Sequence, residues 1–168
     1  MQRVNVRDEK MTFNKLLTVI GAFLLLATMS SKAIAQNGDQ KTVVFNGSKI
    51  QIDQKDTNEP IDVILNDKKI FHTEDALSAS VAATISISGG SAFLVEIDSG
   101  GTACPATFRL IVAYDDAKRQ PQVSEEFGSC SDFFGITSAN VLTVTVPKFR
   151  SGKASTLTLS NGKITVSK

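Results

Sequence analysis

The chain has no tryptophan, one tyrosine, one histidine and two cysteines. Each scarcity excludes something. A tetrahedral metal site takes four ligands, and His72, Cys104 and Cys130 show no ligand spacing, so no metal or other cofactor is implied. The cysteines do not form a C-x-x-C redox pair. A nucleophilic cysteine would need a base, and no motif links Cys104 to His72. Tyr114 aside, phenylalanine is the only abundant ring, which argues against a stacking platform for sugars. G-x-S-x-G, H-E-x-x-H, G-x-x-x-x-G-K-[ST] and G-x-G-x-x-G are all absent.

Long apolar runs are also missing. The longest, Leu16 to Met29, has 14 residues, short of the roughly 20 that span a bilayer. Lys15 precedes it, and the small-x-small sequence Ala33-Ile34-Ala35 follows. A basic flank, a short apolar core and an A-x-A end predict a secretory signal peptide over residues 1–35. No cysteine follows the expected cut, so lipid anchoring is not expected. Met11 opens a more compact leader than Met1, and either start gives the same mature chain.

The expected mature domain is residues 36–168, one β domain with a modest core. Five of the 18 basic and two of the 17 acidic residues lie in residues 1–35, leaving 13 and 15 and a net charge of −2. No basic stripe marks a nucleic-acid surface, and no basic amphipathic helix marks a lipid surface. The expected location is periplasmic or secreted, with no stable membrane insertion once the leader is removed.

Export gives the cysteines their meaning. In an oxidising compartment two cysteines pair, so Cys104 and Cys130 are expected to form a disulfide.

The body of the chain alternates apolar and polar residues between tight turns. Asn46-Gly47, Asn66-Asp67 and Asn161-Gly162 each separate two alternating runs, and Asn-led dipeptides favour the positive φ of a two-residue hairpin. "SVAATISIS" places Val81, Ala83, Ile85 and Ile87 on one face; "SAFLVEID" places Phe93, Val95 and Ile97 inward. "ATFRLIVAY" is apolar on both faces, as in a strand covered from two sides. Thr73, Glu74 and Asp75 cap the one helical expectation, a turn or two over 74–80. The pattern predicts an all-β fold, an antiparallel β-sandwich or small barrel of about 8–10 short strands.

Acids offer the remaining catalytic candidates. Asp53, Asp56, Glu59 and Asp62 recur every three residues around Pro60, without the order of a calcium loop, and read as a solvated connector. Asp115-Asp116 and Glu125-Glu126 read as turn and edge residues, and paired carboxylates at glycosidase separation are not visible in sequence. No catalytic residue is assigned. His72 falls near a strand end, at the surface.

Phe133 and Phe134 are the most informative spot. They sit in a Gly/Ser/Asn loop just after Cys130. Adjacent residues of an extended segment face opposite ways, so one ring is expected outside. The pair reads either as a lid on the sandwich or as a partner-binding anchor. The leading functional reading is an exported, non-catalytic binding domain that engages an envelope or secreted protein, as an inhibitor, immunity or accessory factor. The alternatives are a carboxylate-dependent envelope hydrolase and a structural subunit of a surface fibre or envelope complex.

Overall fold

A computed structural model describes residues 34–35, 41–57, 59–101, 104–149 and 153–168. Most of the expected signal peptide therefore lies outside the described residues. Among the described residues thirteen strands run in the order β1 (Ile34–Ala35), β2 (Thr42–Phe45), β3 (Ser48–Asp53), β4 (Ile61–Leu65), β5 (Lys68–Thr73), β6 (Ser78–Ile87), β7 (Gly90–Gly101), β8 (Cys104–Tyr114), β9 (Gln122–Val123), β10 (Gly135–Ser138), β11 (Leu142–Val146), β12 (Ser155–Ser160) and β13 (Lys163–Ser167). The fold is all-β and antiparallel, a layered sandwich. Ten of these strands follow the alternating runs of the sequence. The three beyond the expected 8–10 are β1, β9 and β10, too short or too polar to show a period.

No helix forms among the described residues. The expected helical turns over 74–80 are replaced by a bend at Glu74–Leu77, and Ser78 already belongs to β6. The serine-rich, β-branched continuation favours a strand, and pairing with β7 supplies the backbone partners that a single helical turn lacks.

The strands make three sheets. One has the order β2-β3-β4-β5, a central one β1-β6-β7-β8-β9, and a third β10-β11-β12-β13. Three hairpins close as their turn chemistry dictates. Asn46 and Gly47 have φ of 47° and 77°, Asn66 and Asp67 48° and 63°, Asn161 and Gly162 50° and 73°. Positive φ at both central residues matches the right-handed twist of the flanking strands.

The central sheet is buried on both faces. Ala92, Leu94, Phe108, Leu110 and Val112 pack with Leu142, Val144, Val146 and Leu157 of the third sheet. The alternate residues Phe93, Val95, Ile97, Ile111 and Ala113 pack with Ile50, Ile52, Ile61 and Val63 of the first. Period-2 geometry makes this possible, because successive side chains leave a strand on opposite sides. Each fully buried Phe or Leu contributes about 1.5–3 kcal/mol.

β6 departs from simple alternation. Val81 pairs with Val95 and Ala83 with Leu94, leaving Ala82 as the extra residue of a bulge. A bulge reverses parity beyond it. Val81 therefore joins the core shared with the first sheet, whereas Ala83 and Ile85 join the other. The single face expected for Val81, Ala83, Ile85 and Ile87 is split between two layers. On the outer edge of β6, Ile34 pairs with Thr84 and Ala35 with Ala83.

Candidate functional site

The loop after β9 is built from three tethers. Phe108 and Phe127 exchange backbone hydrogen bonds, Phe108 N–H to Phe127 O at 2.7 Å and Phe127 N–H to Phe108 O at 2.9 Å. Ser124 prolongs the same edge: its hydroxyl accepts from Leu110 N–H at 2.9 Å and donates to the Glu125 carbonyl at 2.7 Å. Cys130 is then joined to Cys104 at the start of β8. The expected pairing is present, and it fastens the loop to the central sheet. Finally, Ser129 Oγ donates to the Pro147 carbonyl just beyond β11, tying the loop to the third sheet.

The chain turns sharply inside these tethers. Gly128 has φ +132° and Cys130 φ +62°. The left-handed region disfavours a residue with a Cβ by roughly 1–2 kcal/mol, so the bridge and its neighbours hold Cys130 in a conformation that a free segment would leave. Ser131 is buried, and its hydroxyl accepts from Phe133 N–H at 3.1 Å.

This geometry separates the two phenylalanines. Phe134 is half-buried and meets Phe108 edge-on, with ring centroids 5.5 Å apart at 67°. Phe108 in turn lies 6.1 Å from Phe127. Phe134 thus closes this end of the core. Phe133 points the other way and is 71% exposed. Burying one ring fixes the other outside, because consecutive side chains diverge. Asp132 beside it is exposed as well, so a bare ring stands at the tip of a fastened, polar-rimmed loop.

A second group of chemically capable residues lies on the outer face of the first sheet. His72 Nδ1 donates to Asp62 Oδ1 at 2.6 Å, and Lys69 Nζ lies 3.0 Å from Asp62 Oδ2. His72 Nε2 is 3.6 Å from Glu74 Oε1. Lys69 and His72 are three apart, and in a regular strand they would face opposite ways. The register shift between Val63 and Ile64 inserts Ile70 as an extra residue and turns both toward Asp62. Hydrogen bonds from His72 first, and from Lys69 next, hold the Asp62 carboxyl below the ordinary aspartate range. A general acid needs the opposite shift.

The acidic series is partly gathered by folding. Asp53 and Asp62 are cross-strand partners in β3 and β4, whereas Asp56 turns back on Thr57, its Oδ1 accepting from Thr57 N–H at 2.7 Å. Asp116 caps its own turn by accepting from Lys118 N–H at 2.9 Å. Glu126 accepts from Thr107 Oγ1 at 2.8 Å and lies 3.5 Å from Arg109, whose guanidinium sits over Phe71 at 5.3 Å. Asp56, Asp116 and Glu126 are thus each held by separate local partners. No cluster of three or more His, Cys, Asp or Glu suited to a metal ion occurs among the described residues. Nor is any helix among them long and apolar enough to cross a membrane.

Sequence reasoning located the loop but not the Asp62–His72–Lys69 group, because only the bulge at Ile70 reveals that these side chains share a face. Compared with known protein families, with curated proteins and with solved structures, the chain matches none.

Proposed function

We propose that this protein is an exported, non-catalytic binding domain that captures a protein partner in the envelope or outside the cell through the loop at Cys130, with Phe133 as its anchor. The observation that carries this reading is the ring of Phe133, 71% exposed on a segment fastened by a disulfide, a backbone bridge and a side-chain hydrogen bond. An aromatic side chain on an ordered loop is the usual core of a binding hot spot, because little freedom is lost when it is buried. Asp132 and Ser129 would form the polar rim. The Cys104–Cys130 bridge is compatible with an oxidising compartment, periplasmic or extracellular. An inhibitor, immunity or accessory role suits such a domain.

The test compares the native chain with Phe133→Ser as bait for envelope and culture-fluid proteins, read by mass spectrometry. A protein retained by the native chain and lost with Phe133→Ser, at unchanged thermal stability, supports the reading. A partner retained equally by both sinks the loop as its anchor.

One observation favours a second reading, a structural subunit of a fibre or envelope complex. The partner of the β6 edge, Ile34–Ala35, lies within the expected leader. Its removal would leave backbone donors and acceptors of β6 open to a donated strand. Mature protein that assembles into higher oligomers on size exclusion, and is returned to monomer by an Ile34–Ala35 peptide, would favour the subunit.

A further inference from the structure

At the far end of β8 from the bridged loop, roughly 33 Å away at about 3.3 Å per residue, a cleft of about 330 Å³ opens between the central and third sheets. Its walls come from segments distant in sequence: Ser88 from the β6–β7 turn, Tyr114 from the end of β8, Asn140 from the β10–β11 turn and Asn161 from the β12–β13 turn. Leu159 supplies apolar lining. The volume lies at the low end of the range of small-molecule sites, and the lining is more polar than apolar, which suits a polar ligand.

The charge in this cleft has one sign. Arg119 lines it, and among the described residues no acidic side chain does. Its guanidinium carbon lies over the Tyr114 ring, 3.5 Å from the centroid. Stacking restrains the plane of the guanidinium and leaves its edge, with its fork of N–H donors, directed sideways. No carboxylate among the described residues lies within salt-bridge distance of it. Ser88, Asn140 and Asn161 add neutral groups that both donate and accept. The Tyr114 hydroxyl behind the cleft wall is buried, without a hydrogen-bond partner among the described residues.

We propose that this cleft binds a small hydroxylated carboxylate, its carboxylate paired with the Arg119 fork and its hydroxyls with the Asn140 and Asn161 amides. A planar anion matches a stacked guanidinium better than a point charge does, and the neutral amides suit hydroxyls rather than a second charge. The site stands apart from Phe133 and does not depend on that loop's role.

The test is an amide NMR titration of the full exported chain with sodium gluconate, with sorbitol as the uncharged counterpart and acetate as the bare anion. Saturable shifts at Asn140, Asn161 and Gly162 are expected, with sorbitol and acetate each at least ~10-fold weaker, about 1.4 kcal/mol. Arg119→Gln is expected to lose at least ~10-fold in gluconate affinity at unchanged thermal stability, and Arg119→Lys to fail in restoring it, since lysine carries no planar fork. No saturable shift with gluconate, an equal response to sorbitol or acetate, or native-like binding by Arg119→Gln overturns the assignment.

Discussion

Phe134 packs edge-on against Phe108, 5.5 Å between ring centroids, and that contact turns the neighbouring Phe133 into solvent. The two rings are therefore separable by mutation. Phe134→Ala removes half-buried apolar surface next to a fully buried ring and is expected to cost about 2 kcal/mol, less than a fully buried Phe. Phe133→Ala is expected to change stability by no more than about 0.5 kcal/mol, as at other exposed positions. Urea unfolding of both variants checks the contrast. Equal losses would mean that both rings pack, and changing both together would confuse binding with folding.

The Cys104–Cys130 bridge joins residues 26 apart in sequence. Loop-closure entropy makes such a link worth about 3.5 kcal/mol. Replacing both cysteines by serine is expected to lower the midpoint of thermal unfolding by on the order of 10 °C. Hydrogen exchange should report a larger change at Ser129–Phe133 than in β7, because the bridge is one of three tethers on the loop and touches none of the β6–β7 pairing. A variant with native-like protection at the loop would show that the Phe108–Phe127 bridge and Ser129 suffice.

What was legible in the sequence was local. Asn46-Gly47, Asn66-Asp67 and Asn161-Gly162 carry their backbone conformation in their own chemistry, and all three hairpins form. The two-sided burial of β8 was visible in Arg109–Ala113 alternating with Phe108–Tyr114. The bulges at Ala82 and Ile70 were not, because alanine or isoleucine at a bulge looks like any other strand residue. Their consequences are long-range: one divides β6 between two cores, and the other assembles Asp62, Lys69 and His72. The stack of Arg119 on Tyr114 was equally hidden, since "YDDAKRQP" reads as a solvated turn until the cleft around it is seen.

Gly90 tests the close approach of β7 and β8. It pairs with Tyr114, and a Cβ there would overlap the Ala113 carbonyl oxygen. That oxygen belongs to the backbone and cannot rotate away. Gly90→Ala is expected to cost about 3 kcal/mol, at the upper end for overpacking. Gly47 sets a different limit. A Cβ there meets nothing, but φ is +77°, so Gly47→Ala should cost only about 1 kcal/mol, as backbone strain. Reversal of that order in chemical denaturation would place the strand pairing elsewhere.

Asp62 supplies a pH-dependent term with a definite sign. Its carboxylate accepts from His72 Nδ1 at 2.6 Å and from Lys69 Nζ at 3.0 Å, and these bonds lower its pKa in the folded protein. An unfolded aspartate titrates near ~3.9. Below that value the unfolded chain takes up a proton that the folded chain resists, so acid favours unfolding. The contribution is thus complete above the unfolded pKa and is lost as pH falls through the folded one. Asp62→Asn keeps the shape of the side chain but cannot ionise. It is expected to be less stable than the native chain at neutral pH, with the difference shrinking as the pH drops below about 4. Thermal melts of the two proteins between neutrality and about pH 2.5 follow the gap, at low salt because the group is partly exposed and screened by ions. A gap that stays constant across that range would show that His72 and Lys69 hold Asp62 by contact without favouring its charge.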